Sequence, residues 1–332
     1  MNWEGNYVVR THCAAYNHEP YIKDALKGFV IQETEFPVVY TVADDASTDQ
    51  TASVIREFVT ENFDLQDASV AYDKDTDYGH VTFARHKTNK NCYFAVVYLN
   101  ENHYSQKKSK VPYLKEWMNA KYYAVCEGDD YWTDPKKLQK QVAFLESNEE
   151  YDLCCASSRV FLQKKNCFWG LKGSAMCEKY STIIQGYNDM NTATVLVRTE
   201  AWEKWAKELN AQLPSELVFD TAYWYWFAFH GKTKYMAEQM SVYRVLENSA
   251  SHSSDKEKGL RRDLRFLRLK LEFLLRYPVS EEQDEIVNKL MEEIENLCKC
   301  SHYLGEQKVR ESRSYKVGSS IKGLIKWRNG HK

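Results

Sequence analysis

Proline and glycine are scarce, with six and 13 copies in 332 residues. Collagen-like, Pro-rich and Gly-rich low-complexity organisations are thereby excluded. A dominant charge is also missing. The 45 Lys and Arg nearly balance 47 Asp and Glu, for a formal net charge of -2, so no overall basic field points to nucleic acid. No apolar run approaches the roughly 18–20 residues that span a bilayer. The opening residues, Met1-Asn2-Trp3-Glu4-Gly5-Asn6, lack the basic and apolar regions of a signal peptide. The nine cysteines are odd in number and form no pair of CxxC motifs, which argues against structural zinc and a disulfide framework. The expectation is a cytosolic protein with reduced thiols. What the chain has in excess is aromatic side chains, 14% of it, with 23 Tyr and 9 Trp. Their flat faces stack on sugar C–H groups, but they also fill ordinary cores, and composition leaves both readings open.

The first half alternates strand-like and helix-like segments. Tyr7-Val8-Val9-Arg10-Thr11 reads as a strand. Asn17 is placed to cap a helix with Pro20 in its first turn, and Ile22, Ala25, Leu26 and Phe29 form one apolar face. Pro37-Val38-Val39-Tyr40-Thr41-Val42-Ala43 is a buried-strand pattern running into Asp44-Asp45-Ala46-Ser47-Thr48-Asp49, with a helix expected over 51–59. Strands are also expected at Ser69-Val70-Ala71-Tyr72 and at Tyr122-Tyr123-Ala124-Val125-Cys126. The latter ends in Glu127-Gly128-Asp129-Asp130, and a helix with Pro135 in its first turn follows. This alternation predicts an α/β fold with a mainly parallel sheet and a site where the strands end. Further on, an aromatic helix is expected over 221–230, a basic amphipathic one over 256–276 and another over 281–298.

Adjacent Asp pairs at two strand ends are hard to explain as turn residues alone. Paired carboxylates repel unless a positive charge compensates. Hard oxygen ligands with open positions suit Mg²⁺ or Mn²⁺ bridging a substrate's phosphates. The residues by themselves therefore point to a metal–diphosphate site without revealing which bond is broken.

Here a resemblance becomes specific. Ala15-Tyr16-Asn17-His18-Glu19 is similar to the first loop of family-2 glycosyltransferases of the GT-A fold. Val42-Ala43-Asp44-Asp45-Ala46-Ser47-Thr48-Asp49-Gln50-Thr51 resembles their Val-Val-Asp-Asp-Gly-Ser-Thr-Asp-Gly-Thr signature. Glu127-Gly128-Asp129-Asp130-Tyr131-Trp132, then Asp134-Pro135-Lys136-Lys137-Leu138, resembles the variant DXD region of bacterial glycan-biosynthesis members. Asp220, ten residues before His230-Gly231-Lys232, resembles the Asp of the Gly-Asp-Trp block, and Met240-Ser241-Val242-Tyr243-Arg244-Val245 the stretch after it. The resemblance covers about residues 7–250 and implies a GT-A domain over 1–250, with nucleotide-binding (1–130) and acceptor-binding (131–250) halves. A helical C-terminal extension over 251–332 would follow.

It also implies roles. Asp45 would accept from the nucleobase, uracil in a UDP-linked donor, with Asp44 shaping the pocket, Ala15 offering backbone and Asn17 fixing the loop. Asp130 would ligate Mn²⁺ or Mg²⁺, with Asp129 on the sugar or ribose. Arg85 and Asn89 resemble the family's donor loop, and Thr192 or Thr194 would line the acceptor side. Asp220, at a helix start whose dipole favours its anion, would be the base of an inverting single displacement. Trp132 is the aromatic expected to face sugar.

Some positions depart from the pattern. Ala46 stands where Gly is common, so that turn is expected to manage without easy access to positive φ. Asn91 replaces a Gly, Ala95 an Asn and Leu246 a His, with His252 nearby but out of register, and residues 101–110 form a polar insertion. The expected partners are a nucleotide-sugar donor, a lipid-linked glycan acceptor and no nucleic acid. The basic residues between 308 and 332, with Ile321, Leu324, Ile325 and Trp327, suit either an interfacial helix at the inner membrane face or a solvated tail. The basic helix from Lys256 would dock on lipid or form a homodimer surface. Two other functions are weighed. A sugar-phosphate nucleotidyltransferase normally needs a Gly-rich phosphate loop, and Arg10-Thr11-His12-Cys13-Ala14-Ala15 has no glycine. A non-catalytic nucleotide- or glycan-binding module would be expected to lack the acidic residues.

Overall fold

The computed structural model describes residues 6–186, 190–247, 256–279 and 283–303. The chain forms two compact units, one from Met1–Ala175, Asp189–Trp205 and Gly231–Val245, the other from Met176–Asn188, Ala206–His230 and Leu246–Lys332. The strands, in chain order, are β1 (Tyr7–Ala15), β2 (Val38–Asp44), β3 (Ala71–Thr76), β4 (Gly79–Arg85), β5 (Cys92–Leu99), β6 (Ala120–Val125), β7 (Tyr131–Trp132), β8 (Leu153–Leu162), β9 (Cys167–Lys172), β10 (Leu196–Arg198) and β11 (Thr233–Val245). The helices are α1 (Ile22–Val30), α2 (Thr51–Asn62), α3 (Val111–Leu114), α4 (Lys137–Ser147), α5 (Tyr180–Ile184), α6 (Thr199–Gln212), α7 (Asp220–His230), α8 (Lys256–Arg276) and α9 (Gln283–Tyr303).

All the strands belong to one sheet of the first unit, in the order β3-β4-β5-β2-β1-β6-β10-β8-β11-β7, with β9 on β8. Its centre, β5-β2-β1-β6, is parallel. Strand β2 is buried along its whole length, as expected of an uninterrupted apolar run in a strand covered on both faces. Helix α1 lays Ile22, Ala25, Leu26 and Phe29 onto the sheet, each fully shielded from solvent. Burying each of the three larger side chains stabilises the fold by roughly 1.5–3 kcal/mol. The same helix comes so close to β7 that a Cβ on Gly28 would lie 2.8 Å from the Trp132 backbone.

The mixed, mainly parallel sheet with helices around it and further helices after it is the expected α/β architecture. The sequence did not reveal the hairpin of β4 and β5, nor that β3-β4-β5 are antiparallel to one another. It also missed β11, a 13-residue strand with two register shifts.

In the second unit α7 is buried on nearly every side, with Trp224, Tyr225, Trp226 and Phe227 all below 3% exposure. The Tyr225 ring meets Phe273 of α8 edge-on at 5.4 Å. Helix α8 buries its apolar stripe, including Leu267, Leu271 and Phe273, and pairs Lys270 with Glu293 of α9 at 2.5 Å. The aromatic run of α7 is thus mostly core. The basic segment between 308 and 332 and His252 lie outside the described residues.

Candidate active site

The parallel strands β1, β2, β5 and β6 all end on the same edge of the sheet. From β1 the chain proceeds outward to β2 and β5, whereas β6 returns on the other side of β1. The strand order therefore reverses between β1 and β6. In open α/β sheets such a reversal leaves a crevice at the carboxyl ends where ligands bind. The loops after β1 and β6 border that crevice, and they carry His18 and Asp129-Asp130 respectively.

The loops after β1 and β2 are laced together. The Asn17 amide carbonyl accepts from the Thr48 N–H at 2.8 Å, and the Asn17 N–H donates to Ser47 Oγ at 3.0 Å. The His18 N–H donates to Thr51 Oγ1 at 2.7 Å, and the Asp45 N–H to the Ala15 carbonyl at 2.9 Å. Asn17 therefore fixes the loop, as expected, but it is not a helix cap. It sits at φ 55, and α1 begins later, at Ile22. Ala46 also enters the left-handed region, at φ 58, so the turn does require a positive φ despite lacking glycine.

Asp44 is buried and accepts from the Ser47 hydroxyl and N–H. Burial raises its pKa, and the Ser47 hydrogen bonds partly offset this. Asp45 is 1% exposed, and both its oxygens are engaged. The His103 N–H donates to one at 2.8 Å, the Tyr104 N–H to the other at 3.0 Å, and Lys110 Nζ lies 3.0 Å from the second. Asn102 adds a bond to the Asp45 carbonyl at 3.1 Å. Asp45 thus anchors residues 102–110, which the sequence presented as an insertion.

At the end of β6, Asp130 is 4% exposed. Its Oδ1 accepts from the Arg244 N–H at 2.7 Å. Burial, reinforced by neighbouring Asp129, raises its pKa well above the usual carboxylate range. His18 lies within electrostatic reach of Asp129, Asp49 and Asp44, and its buried Nδ1 has no hydrogen-bond partner in the structure. A Cβ on Gly128 would stand 2.7 Å from that nitrogen, so glycine lets the two loops approach. Burial lowers the His18 pKa, and the three aspartates pull it back up.

Arg244, from β11, organises this turn. Its Nε donates to the Asp129 carbonyl, Nη1 to Gln163 Oε1 and Nη2 to Asp24 Oδ2, each at 2.8 Å. The guanidinium also lies over Tyr21 and Tyr131. Lysine cannot reproduce this fork. Arg244→Lys is therefore expected to destabilise the protein by roughly 2–4 kcal/mol, below a fully buried pair because Asp24 is half-exposed. Urea denaturation reads this directly, and an unchanged midpoint would contradict the assigned role. Arg244 and His18 lie inside the matched motifs, but the sequence assigned neither a role.

Other expected site residues lie elsewhere. Arg85 pairs with Tyr93 where β4 ends and β5 begins, the amino edge, on the far side of the sheet from Asp44 and Asp130. Asn89 belongs to the same turn and donates to the Gln32 carbonyl at 2.9 Å, while Asn91 donates to that of Thr34. These residues hold a turn, and Ala95 is a buried strand residue, because the chain here forms an antiparallel hairpin rather than a donor loop. Trp132 is 1% exposed, packs on Phe29 and Tyr40, and donates to the Ala193 carbonyl at 2.7 Å. It is a core residue and cannot face a sugar. Buried Lys137 sits over its ring at 4.3 Å, with a pKa lowered by burial to about 8. Thr194 is buried, its hydroxyl donating to the Asn191 carbonyl, whereas Thr192 is half-buried. Asp220 is exposed at the first residue of α7, where its Oδ1 accepts from the Thr221 N–H at 2.6 Å.

No family model matches the chain. Rv1520 of Mycobacterium tuberculosis and Mb1547 of Mycobacterium bovis, both uncharacterized, are each 36% identical to it over 153 residues, 45% of this chain. The chain spans about a third of those relatives' length, 34%. Among solved structures, the mannosyltransferase PcManGT from Pyrobaculum calidifontis, in complex with GDP-Man and Mn²⁺, superposes with a TM-score of 0.54 at 12% identity. That match covers 98% of this chain and 84% of the other. S. aureus TarS gives 0.50 at 16% identity over 85% of this chain and 42% of its own. The chain shares the GT-A type α/β fold of these structures.

Proposed function

We propose that the chain is a metal-dependent, inverting glycosyltransferase that moves a sugar from a nucleoside-diphosphate donor to a lipid-linked glycan. The observation that carries this reading is that the Asp129-Asp130 loop after β6 meets the loops after β1 and β2 at the crevice, with His18 within electrostatic reach of Asp129 and Asp44. A donor diphosphate brought to Asp129 and Asp130 would be repelled unless a cation lay between them. The donor set fits a divalent cation, since carboxylate oxygens are hard ligands and the buried Asp130 carboxyl favours its anion only beside a positive charge. Among the described residues no cluster of three or more His, Cys, Asp or Glu could hold a metal, so the remaining ligands would come from the donor and water.

Asp130 would hold Mn²⁺ or Mg²⁺, which when bound supplies charge neutralisation on the departing diphosphate, and Asp129 would lie on the donor's sugar or ribose. Arg244 and Gly128 shape the turn that presents these carboxylates. Asp44, Asn17 and the Ala15 backbone would shape the nucleoside pocket, and Thr192 the acceptor side. Asp220 would take the proton of the acceptor hydroxyl as that oxygen attacks the anomeric carbon. The bond to the diphosphate breaks in the same displacement, and its electron pair leaves with the nucleotide.

Calorimetry with UDP and with GDP tests the donor site. One of the two is expected to bind at least roughly tenfold more tightly with Mn²⁺ than with chelator, a gain of about 1.4 kcal/mol. If neither nucleotide binds more tightly with divalent cation, the metal role of Asp130 is removed.

A further inference from the structure

We propose that the β8–β9 hairpin is a docking surface for an anionic membrane. Residues 153–177 contain no Asp or Glu, although acidic residues make up 47 of the 332. They do contain Arg159, Lys164, Lys165 and Lys172. The same hairpin displays Phe168, Trp169 and Leu171 at 43%, 76% and 60% exposure, among the most exposed large apolar side chains described.

The geometry gathers Arg159, Phe161, Phe168 and Leu171 on one surface, whereas Lys172, opposite Ser158, turns to the other face and lies over the Tyr243 ring at 4.4 Å. Pairing sets Arg159 opposite Leu171 and Phe161 opposite Phe168, so these four share a face of the hairpin. The Phe161 and Phe168 rings meet at 5.1 Å, and the Arg159 guanidinium lies 3.6 Å over Phe168. A register shift between Val160 and Phe161 leaves Trp169 as the extra, bulged residue of β9. The opposite face is anchored in the protein through buried Ser158 and Val160. Lys164 and Lys165 stand exposed at the turn.

Exposed Trp, Phe and Leu beside Lys and Arg, without acid, suit a bilayer interface, where rings sit at headgroup depth and cations meet anionic lipid. A second copy of the same strip is disfavoured, because it would oppose Arg159, Lys164 and Lys165 to the same three cations. The hairpin also borders the crevice. Gln163, at its turn, accepts from the Arg244 side chain, whose own N–H holds Asp130. Docking there would bring the carboxyl edge of the sheet to the lipid surface. The inference stands apart from the transfer reading, since vesicle binding needs neither donor nor acceptor.

Co-sedimentation of the full chain with vesicles tests it, using phosphatidylcholine alone or mixed with phosphatidylglycerol. Wild type is expected on the anionic vesicles and to come off as salt rises. Trp169→Ser/Leu171→Ser and Lys164→Glu/Lys165→Glu are each expected to weaken binding roughly tenfold or more while keeping wild-type circular dichroism. Three results would overturn the proposal. Wild type binds neither vesicle, or binds both alike. Both well-folded double variants bind as wild type does, as they would if the basic segment between 308 and 332 carried the interaction. The variants alter the oligomeric state in sedimentation velocity and leave vesicle binding untouched. Should a variant misfold, quenching of tryptophan emission by nitroxide-labelled lipid decides. It is expected in wild type and reduced in Trp169→Phe, and equal quenching in both rejects the hairpin as the contact.

Discussion

Asp220→Asn is expected to leave nucleotide binding unchanged and to lower sugar transfer by roughly 10²–10⁴-fold. The substitution separates chemistry from folding. Asparagine keeps the shape, and its carbonyl can still accept from the Thr221 N–H, so α7 keeps its start. Loss of the anion beside the helix dipole removes only about 0.3–1 kcal/mol of stability. Loss of the proton acceptor removes roughly 3–5 kcal/mol of transition-state stabilisation, the energy equivalent of the rate change. Single-turnover transfer and nucleotide titration on the same preparation read both quantities. Transfer within twofold of wild type would mean that another group takes the proton.

Asp130→Asn is expected to lower transfer at least roughly a hundredfold while raising the stability of the metal-free protein at neutral pH. The sign follows from burial. The folded-state pKa of Asp130 is raised above its ordinary value, so the folded protein holds a proton that the unfolded chain gives up. Its contribution is most favourable at low pH, below the unfolded pKa. It is lost as pH rises through the folded value. The asparagine cannot ionise and avoids that loss, and its carbonyl can still accept from the Arg244 N–H. Thermal melts with chelator across pH are expected to show the variant ahead of wild type near neutrality and level with it in acid. Added Mn²⁺ should stabilise wild type and not the variant. A variant that melts below wild type at neutral pH would mean that the Asp130 carboxylate is satisfied without a cation.

The parts of this site that were legible in the sequence are the local ones. Strands β2 and β6 run apolar into an abrupt acidic turn, and that pattern needs only neighbouring residues to be read. What was hidden depends on partners far along the chain. Arg244 meets Asp130 across 114 positions, and nothing near either residue names the other. The donor-loop reading of Arg85 and Asn89 rested on a short string, and a string does not say at which edge of a sheet its turn falls. Trp132 looked solvent-facing because it adjoins the aspartates. Alternation along β7 instead turns it inward while Tyr131 stays half-exposed. The polar residues 102–110 read as a surplus loop because a buried carboxylate cannot be recognised until its burial is known.

Ala46 bears on how the unliganded loop moves. Glycine visits both signs of φ freely, whereas alanine at φ 58 occupies a narrow well that the surrounding hydrogen bonds must enforce. The loop after β2 therefore samples fewer shapes before any ligand arrives than a glycine-bearing one would. Less conformational entropy is left to lose on ligand capture, so this crevice should behave as a preformed mould rather than one that closes around its guest.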